Sequence, residues 1–387
     1  MTKQNVKNVV LPHTQAKLDL YRDYLNEYLP VLMNSKYIIK INIYDIFCGA
    51  GIYFDGKHGS PLIAARCIAE NIDAIEMRGG ILTPISLTVN DLDIEKSEFV
   101  GTLLKTLQKE TFHTRPFNLS ADKMFNFVKT ETKFLPKGQR NLVFVDPYGY
   151  SDITKNNLYG ILESRKTEVI LFLPVSNLYR FSDIAQSDVV SKCYDHLRRF
   201  ISEFFPENSR VHTSDIEDIY DYINELRIAF SFNDTFYSSS FYIKRDKVNH
   251  YALFFIGPHI LGLEKFLQAK WKSDSLGQGF NIKYSTPSLF GNELQDVDSY
   301  NTKSKLETLI RKYIKENPYI KNTDLYRFVL VNQFLPKDAN SILLRLKNDS
   351  LLETYNETLD LIANVRSFYL TYKNYKEEIT ILKLKFR

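Results

Sequence analysis

Apolar residues recur at helical spacing between His13 and Met33, where Leu18, Tyr21, Leu25, Tyr28, Leu29 and Leu32 share one face. The pattern then changes. Ile38 to Tyr44 is a β-branched run that reads as a buried strand, and it ends in Asp45-Ile46-Phe47-Cys48-Gly49-Ala50-Gly51. A helix is expected from Ser60 to about Ile75, since Ser60 suits a cap and Pro61 the first helical position. Further strands are predicted over Ile85–Val89, near Phe112–Asn118, over Asn141–Val145 and over Glu168–Leu173. Helices are predicted between them, near Ile94–Gln108, from Ala121, and around Leu158 and Leu162. Strands that alternate with helices argue for a parallel, doubly wound α/β sheet.

The stretch from about Asn177 to Thr235 is mostly helical and longer than one crossover needs, so it reads as an insertion. Ser238–Arg245 and Asn249–Ile256 flank Asp246-Lys247-Val248 and carry a hairpin signal. Five parallel strands and a terminal antiparallel hairpin resemble the seven-stranded, Rossmann-like sheet of class I methyltransferases. The last section differs. Helices are expected over Lys305–Glu316, Thr323–Gln333 and Asp338–Lys347, and strands over Leu351–Tyr355, Val365–Tyr372 and Ile379–Phe386. That order suggests a winged helix-turn-helix-like domain, and the chain is divided at residues 1–295 and 296–387.

Composition narrows the class. Hydrophobic residues make up 44% and charged residues 25% of 387, a globular balance. Net charge is +4, yet the residues from Asn301 onward hold 16 Lys or Arg against 10 Asp or Glu, a surplus of six. A basic tail section on a near-neutral body points to an acidic partner. Cys48, Cys67 and Cys193 show no CxxC spacing and the seven His no HxxxH pair, so neither a disulfide framework nor a metal site is expected. No apolar signal core and no membrane-length apolar run occurs, which gives a cytoplasmic expectation without membrane attachment.

Four strand ends carry candidate chemistry. In Asp45-x-Phe47-x-Gly49-x-Gly51 the glycines let the backbone turn sharply and approach a ligand. S-adenosylmethionine has no phosphate to cradle. The loop backbone is expected to pass its methionine part, with Phe47 in the motif and Asp45 reaching the amino group. Asn90 or Asp91, at the second strand's end, is placed to accept from ribose hydroxyls. A helix cap explains the same residue types. Asn118, after the third strand, is a candidate for the adenine. The fourth strand ends in Asp146-Pro147-Tyr148-Gly149. There a carboxylate and a Pro-adjacent carbonyl can accept the two N–H bonds of an exocyclic amine, and the ring can stack on an extruded base. The competing explanation is an ordinary Pro/Gly turn. His13 and Lys17 are read mainly as an exposed helix face. Lys337, Arg345 and Lys347, on or beside the third C-terminal helix, are candidate phosphate contacts.

At these motifs the chain resembles the three-Cys-motif partner (TcmP) family, from about residue 13 to 350. The resemblance rests on Lys17, Asp45–Gly51, Gly59-Ser60-Pro61, Asp146–Gly149 and Tyr251-Ala252-Leu253-Phe254. Cys48 departs from it where a small Ala is usual, and Asn90 departs where Glu is expected. The family name implies a partner protein bearing a three-Cys motif, of radical or iron–sulfur type. Over four residues, Asp146–Gly149 is also similar to tRNA guanine-N2 dimethyltransferases. The leading expectation is therefore an S-adenosylmethionine-dependent methyltransferase acting on an exocyclic amine of a nucleobase in DNA or RNA. The alternatives are a non-catalytic scaffold for the partner protein, and a methyltransferase for protein or a small molecule.

Overall fold

The computed structural model describes residues 9–187, 192–213, 215–274, 279–281 and 293–387. They form two compact units, one reaching Ser273 and including Gly279–Asn281, the other comprising Asp274 and the residues from Glu293 onward. The division expected at residues 295 and 296 falls within the first turn of a helix that begins at Glu293.

The first unit opens with α1 (Pro12–Met33), which has Pro12 in its first turn. Then come β1 (Lys40–Asp45), α2 (Ser60–Glu76), β2 (Ile85–Asn90), α3 (Ile94–Lys105), β3 (Phe112–Phe117), α4 (Ala121–Lys133), β4 (Gln139–Val145), α5 (Lys155–Leu162) and β5 (Thr167–Pro174). The insertion is helical, as expected, with α6 (Ser176–Arg180), α7 (Ser182–Gln186), α8 (Asp195–Phe204) and α9 (Ile219–Ala229). Its residues 188–191 and 214 lie outside the described residues. The hairpin follows as β6 (Tyr237–Lys244) and β7 (His250–Gly257), then α10 (Ile260–Ser273) and β8 (Gly279–Asn281).

The sheet order is β3-β2-β1-β4-β5-β7-β6-β8. β1 to β5 are parallel, and β7 runs antiparallel between β5 and β6. The seven-stranded Rossmann-like pattern is thus present, with one strand more than expected. The addition is β8, which pairs in parallel with β6 on the outer edge. Its three residues are too few to show a strand period in the sequence.

The order places β1 and β4 side by side at the centre, where the chain reverses its direction of progress across the sheet. Ligands of open α/β sheets bind beyond the carboxyl ends of strands at such a switch point. The apolar face of α1 is buried through Leu18, Tyr21, Tyr24, Leu25, Tyr28 and Leu29, and the Tyr21 ring lies 4.2 Å from that of Phe144 in β4. A polar row crosses the strands beneath. Ser86 donates to Asn42 (2.7 Å), Asn42 to Asn141 (2.9 Å) and Asn141 to Thr167 (3.0 Å). These residues are direct partners in register, so the row fixes β2, β1, β4 and β5 against slippage.

The second unit comprises α11 (Glu293–Glu316), β9 (Ile320–Lys321), α12 (Asn322–Val331), α13 (Pro336–Asn348), β10 (Leu352–Tyr355), α14 (Tyr372–Glu377) and β11 (Lys383–Phe386). The strands form an antiparallel sheet in the order β10-β11-β9. Ile310, Ile314, Leu325, Val329, Leu343, Leu346 and Leu384 are buried between helices and sheet. Three helices and two of the expected strands are present, but the strand expected over Val365–Tyr372 is not. Asn340 captures the Phe368 N–H (2.9 Å), and Asn322 donates to the Phe368 carbonyl (2.9 Å). With both backbone groups taken by side chains, Phe368 has nothing to give a ladder. The next residue, Tyr369, has φ +51°, and α14 follows.

Candidate functional site

The loop after β1 is sewn to both neighbouring strands. Ile46 N donates to the Phe144 carbonyl (3.1 Å) and Cys48 N to that of Asn90 (2.8 Å). Gly49 and Gly51 both have positive φ, +60° and +74°, so the motif's glycines occupy conformations that favour them. A Cβ on Gly51 would also lie 2.9 Å from Val100 Cγ2. Residues 51–59 fold back on themselves, with Gly59 N donating to the Gly51 carbonyl (2.7 Å) and Ile52 bridging His58.

Asp45 ends β1 fully buried, and neither carboxylate oxygen meets hydrogen-bond geometry with a donor. Burial pushes its carboxyl up to about 7; the Asp146 charge adds to this, while the nearby Ser60 hydroxyl, the Lys17 charge and the Phe47 N–H oppose it. A buried carboxylate with no donor at full hydrogen-bond geometry is costly, and at a strand's carboxyl end it is a candidate place for a ligand. Asp146 follows β4 and forms an ion pair with Lys17, whose side chain is 8% exposed against 22% for Asp146. Burial works against the Lys17 charge, but the Asp146 carboxylate outweighs it, so Lys17 stays above the ordinary lysine value. The same ammonium lies 4.7 Å from the centre of the Phe172 ring. Phe172 stacks on Tyr251 (5.3 Å, 7°), and Tyr251 on His13 (5.3 Å, 12°). Burial, with Arg245 and Lys17 nearby, pulls His13 down to about 4, so the ring is neutral at pH 7.

The exposed helix face expected at His13 and Lys17 is therefore corrected. Both side chains are buried, because α1 runs along the sheet and its first turns reach the carboxyl ends of β4 and β5 and the start of β7. Their depth is not written in a Lys and a His on a helix, residue types that are mostly solvated. Tyr53 also belongs here. Burial raises its hydroxyl, and the charges of Lys17, Asp146 and Asp45 all act on it. Neither Phe172 nor Tyr53 had a signal in the sequence, and Tyr251 had only its place in the family resemblance.

The residues after β2 and β3 are occupied by the fold. Asp91 accepts from Gly49 N (3.0 Å) and Asp93 N (2.9 Å), so it props the glycine loop. Asn90 donates to the carbonyls of Ile46 (3.1 Å) and Leu119 (3.0 Å) and accepts from Leu119 N (2.8 Å). Asn118 donates to the carbonyls of Asp91 (2.9 Å) and Leu92 (2.8 Å). Asp93 provides the cap of α3. The ring of Phe47 packs against Phe125 (6.4 Å) and the core. After Asp146, Pro147 is buried, the Tyr148 ring is 90% exposed, and a Cβ on Gly149 would meet nothing within 4 Å. Asp45, Asp91 and Asp146 thus gather on adjacent strand ends, with Lys17 closing over Asp146.

In the second unit Lys337 is exposed. Arg345 pairs with Glu307, and Lys347 donates to the Ile362 carbonyl (3.0 Å), so two of the three proposed phosphate contacts are engaged within the unit. A cavity of about 240 Å³ in the insertion, lined by Tyr179, Arg180, Asp183, Val211 and Tyr222 among others, includes none of the residues singled out from the sequence. Among the described residues no helix is long and apolar enough to cross a membrane.

No family model and no curated protein matches the sequence. Among solved structures, a putative methyltransferase from Escherichia coli is 13% identical, over 62% of this chain and 86% of that one, with a TM-score of 0.27. A putative class I S-adenosylmethionine-dependent methyltransferase from Listeria monocytogenes is 12% identical, over 65% of this chain and 64% of that one, with a TM-score of 0.28. A loganic acid methyltransferase with S-adenosylhomocysteine is 12% identical, over 76% and 90%, with a TM-score of 0.28. At these TM-scores the likenesses carry no argument about this chain, and its fold class rests on strand order and direction.

Proposed function

We propose that this protein is an S-adenosylmethionine-dependent methyltransferase whose acceptor is an exocyclic amine of a nucleobase. The observation that carries the reading is the fully buried carboxylate of Asp45, neither oxygen of which reaches full hydrogen-bond geometry with the nearby Ser60 hydroxyl or Phe47 N–H, beside the positive-φ glycines at the sheet's switch point. A ligand ammonium is what those oxygens require, and the amino group of S-adenosylmethionine is one. Asp91 keeps acceptor capacity for a hydroxyl after its two backbone bonds, because a carboxylate has about four lone-pair sites. Bound there, the cofactor would supply an electrophilic methyl group.

The chain's own part is positioning. Asp146 accepts an N–H of the acceptor amine in place of the Lys17 ammonium and takes up the proton the nitrogen loses. The exposed Tyr148 ring offers a stacking face to a base lifted from its strand. Lys17 remains near enough to balance the carboxylate's charge. The second unit, read as a winged-helix-like module, brings the nucleic acid. Transfer of a labelled methyl group to oligonucleotides tests this directly. Asp146→Ala is expected to cut the rate by about 10²–10⁴-fold while S-adenosylmethionine still binds, and an unchanged rate removes Asp146 from the chemistry.

One observation favours a second reading, a non-catalytic scaffold. Lys17 already satisfies Asp146, as in a closed structural ion pair. Calorimetry separates the two, since a scaffold of this kind binds no S-adenosylmethionine at millimolar concentration.

A further inference from the structure

The three-stranded sheet of the second unit carries an outward face unlike its buried one. Strand alternation sends Leu384 inward, fully buried, and Lys383 and Lys385 outward. Lys383 lies directly opposite both Lys321 and Tyr355, and Lys385 opposite Glu353. The Lys385 ammonium sits 5.0 Å from the centre of the Tyr319 ring, which in turn stands edge-on to Tyr355 at 5.2 Å. Arg387 extends the row and pairs with Glu353 (3.1 Å), while Lys321 meets Glu378 at 3.8 Å. Of the four cations, Arg387 and Lys321 thus pair with carboxylates. Lys383 and Lys385 give their Nζ hydrogen bonds to the Glu357 carbonyl (2.8 Å) and the Tyr319 hydroxyl (3.3 Å).

The directly opposed Lys383 and Lys321 are informative, because like charges facing each other across a ladder are destabilising. Glu378 and the Glu357 carbonyl offset part of this, and an anion over the pair would offset more. Two tyrosine rings between the cations add flat faces for stacking. Cations that follow a phosphate chain, interleaved with aromatic rings that take bases, are the components of a single-strand binding surface. A duplex hides its base faces and gains nothing from the rings.

We propose that this sheet face, formed by Tyr319, Lys321, Tyr355, Lys383, Lys385 and Arg387, binds single-stranded nucleic acid. The proposal rests on nucleic acid being the substrate class suggested above. It assigns the contact to the sheet, where four cations gather around two tyrosine rings, rather than to α13, and it makes the bound form a strand with accessible bases.

Fluorescence anisotropy with the full chain and labelled 20-nucleotide single strands of DNA and RNA, beside the matched duplex, tests it at several salt concentrations. The single strand is expected to bind more tightly than the duplex. Lys383→Gln combined with Lys385→Gln removes two phosphate contacts. This should weaken single-strand binding about 25-fold at 0.1 M salt and flatten the salt slope by about 1.4. Tyr319→Leu should weaken binding with the slope retained. Lys337→Gln combined with Arg345→Gln is the competing arm, expected to change affinity less than about threefold, as loss of contacts elsewhere on the surface would.

Lys383→Arg with Lys385→Arg keeps the charge and should bind like the wild type, which separates loss of contact from loss of fold. Wild-type binding that favours the duplex overturns the proposal, and so does an α13 pair that loses more than the sheet pair. Absence of any binding overturns it together with the nucleic-acid reading. Loss of methyl transfer with strand binding intact overturns only the catalytic reading. Transfer that persists while the sheet variants bind normally overturns only the sheet face.

Discussion

Two sets of polar side chains lie on the same central strands and end differently. In the row Ser86, Asn42, Asn141 and Thr167, each side chain hydrogen-bonds the next. At the carboxyl ends of the same strands, Asp45 is as deeply buried with neither oxygen in full hydrogen-bond geometry, while Asp146 is met by a lysine from α1. The first set is complete within the fold, and it serves to hold register. The second is incomplete, and under the proposed function the ammonium of the ligand completes it.

The contrast breaks most visibly at Asp45. Its carboxyl stands at about 7 in the folded protein against an ordinary value of 3.8, with burial the main cause. A raised acid costs nothing below pH 4. The cost grows as pH rises from about 4 to 7 and is complete above, where it is on the order of 4 kcal/mol. Urea unfolding at pH 5 and pH 8 should show the wild type losing stability that Asp45→Asn keeps, while that variant binds S-adenosylmethionine more weakly. Parallel pH profiles for the two proteins would mean that Asp45 has a partner after all.

Asn141→Ala is expected to act in the opposite sense. It strands the Asn42 amide and the Thr167 hydroxyl inside the sheet, at a cost of about 2–4 kcal/mol. The urea midpoint should fall without a change in slope, and cofactor affinity should hold within about twofold. A matching fall in affinity would show that the two sets are coupled. The smallest contrast lies between two glycines. Gly51→Ala combines a positive φ with contact against Val100 and should cost about 1–2 kcal/mol in thermal unfolding. Gly149→Ala meets open space and should stay within about 0.5 kcal/mol. Equal effects would mean that the loop after β1 is no more constrained than the open turn after β4.

Much of the first unit was legible because its strands are β-branched runs between glycine and proline punctuation, and the hairpin around Asp246 was as clear. The bonds that decide roles were not. Asn and Asp at a strand end suit a cap, a loop prop or a ribose contact alike, and only the partners of Asn90, Asp91 and Asn118 tell which tasks the fold gives them. Lys17 reads as solvated until the strand it meets, 129 residues further on, is in place. The stretch Val365–Tyr372 alternates like a strand, yet Asn322 and Asn340, elsewhere in the chain, take the backbone groups that pairing would need.

The stack of His13 on Tyr251 has a consequence for how the chain is made. α1 is synthesised first, but Tyr251 follows His13 by 238 residues. At about 5–20 residues per second, α1 waits roughly 10–50 s for this partner, and slightly longer for α10. Throughout that interval Tyr24 and its neighbours lack the β7 and α10 rings they finally meet. A nascent chain stalled before residue 250 should therefore be a client of apolar-surface chaperones, and release should come as β7 emerges.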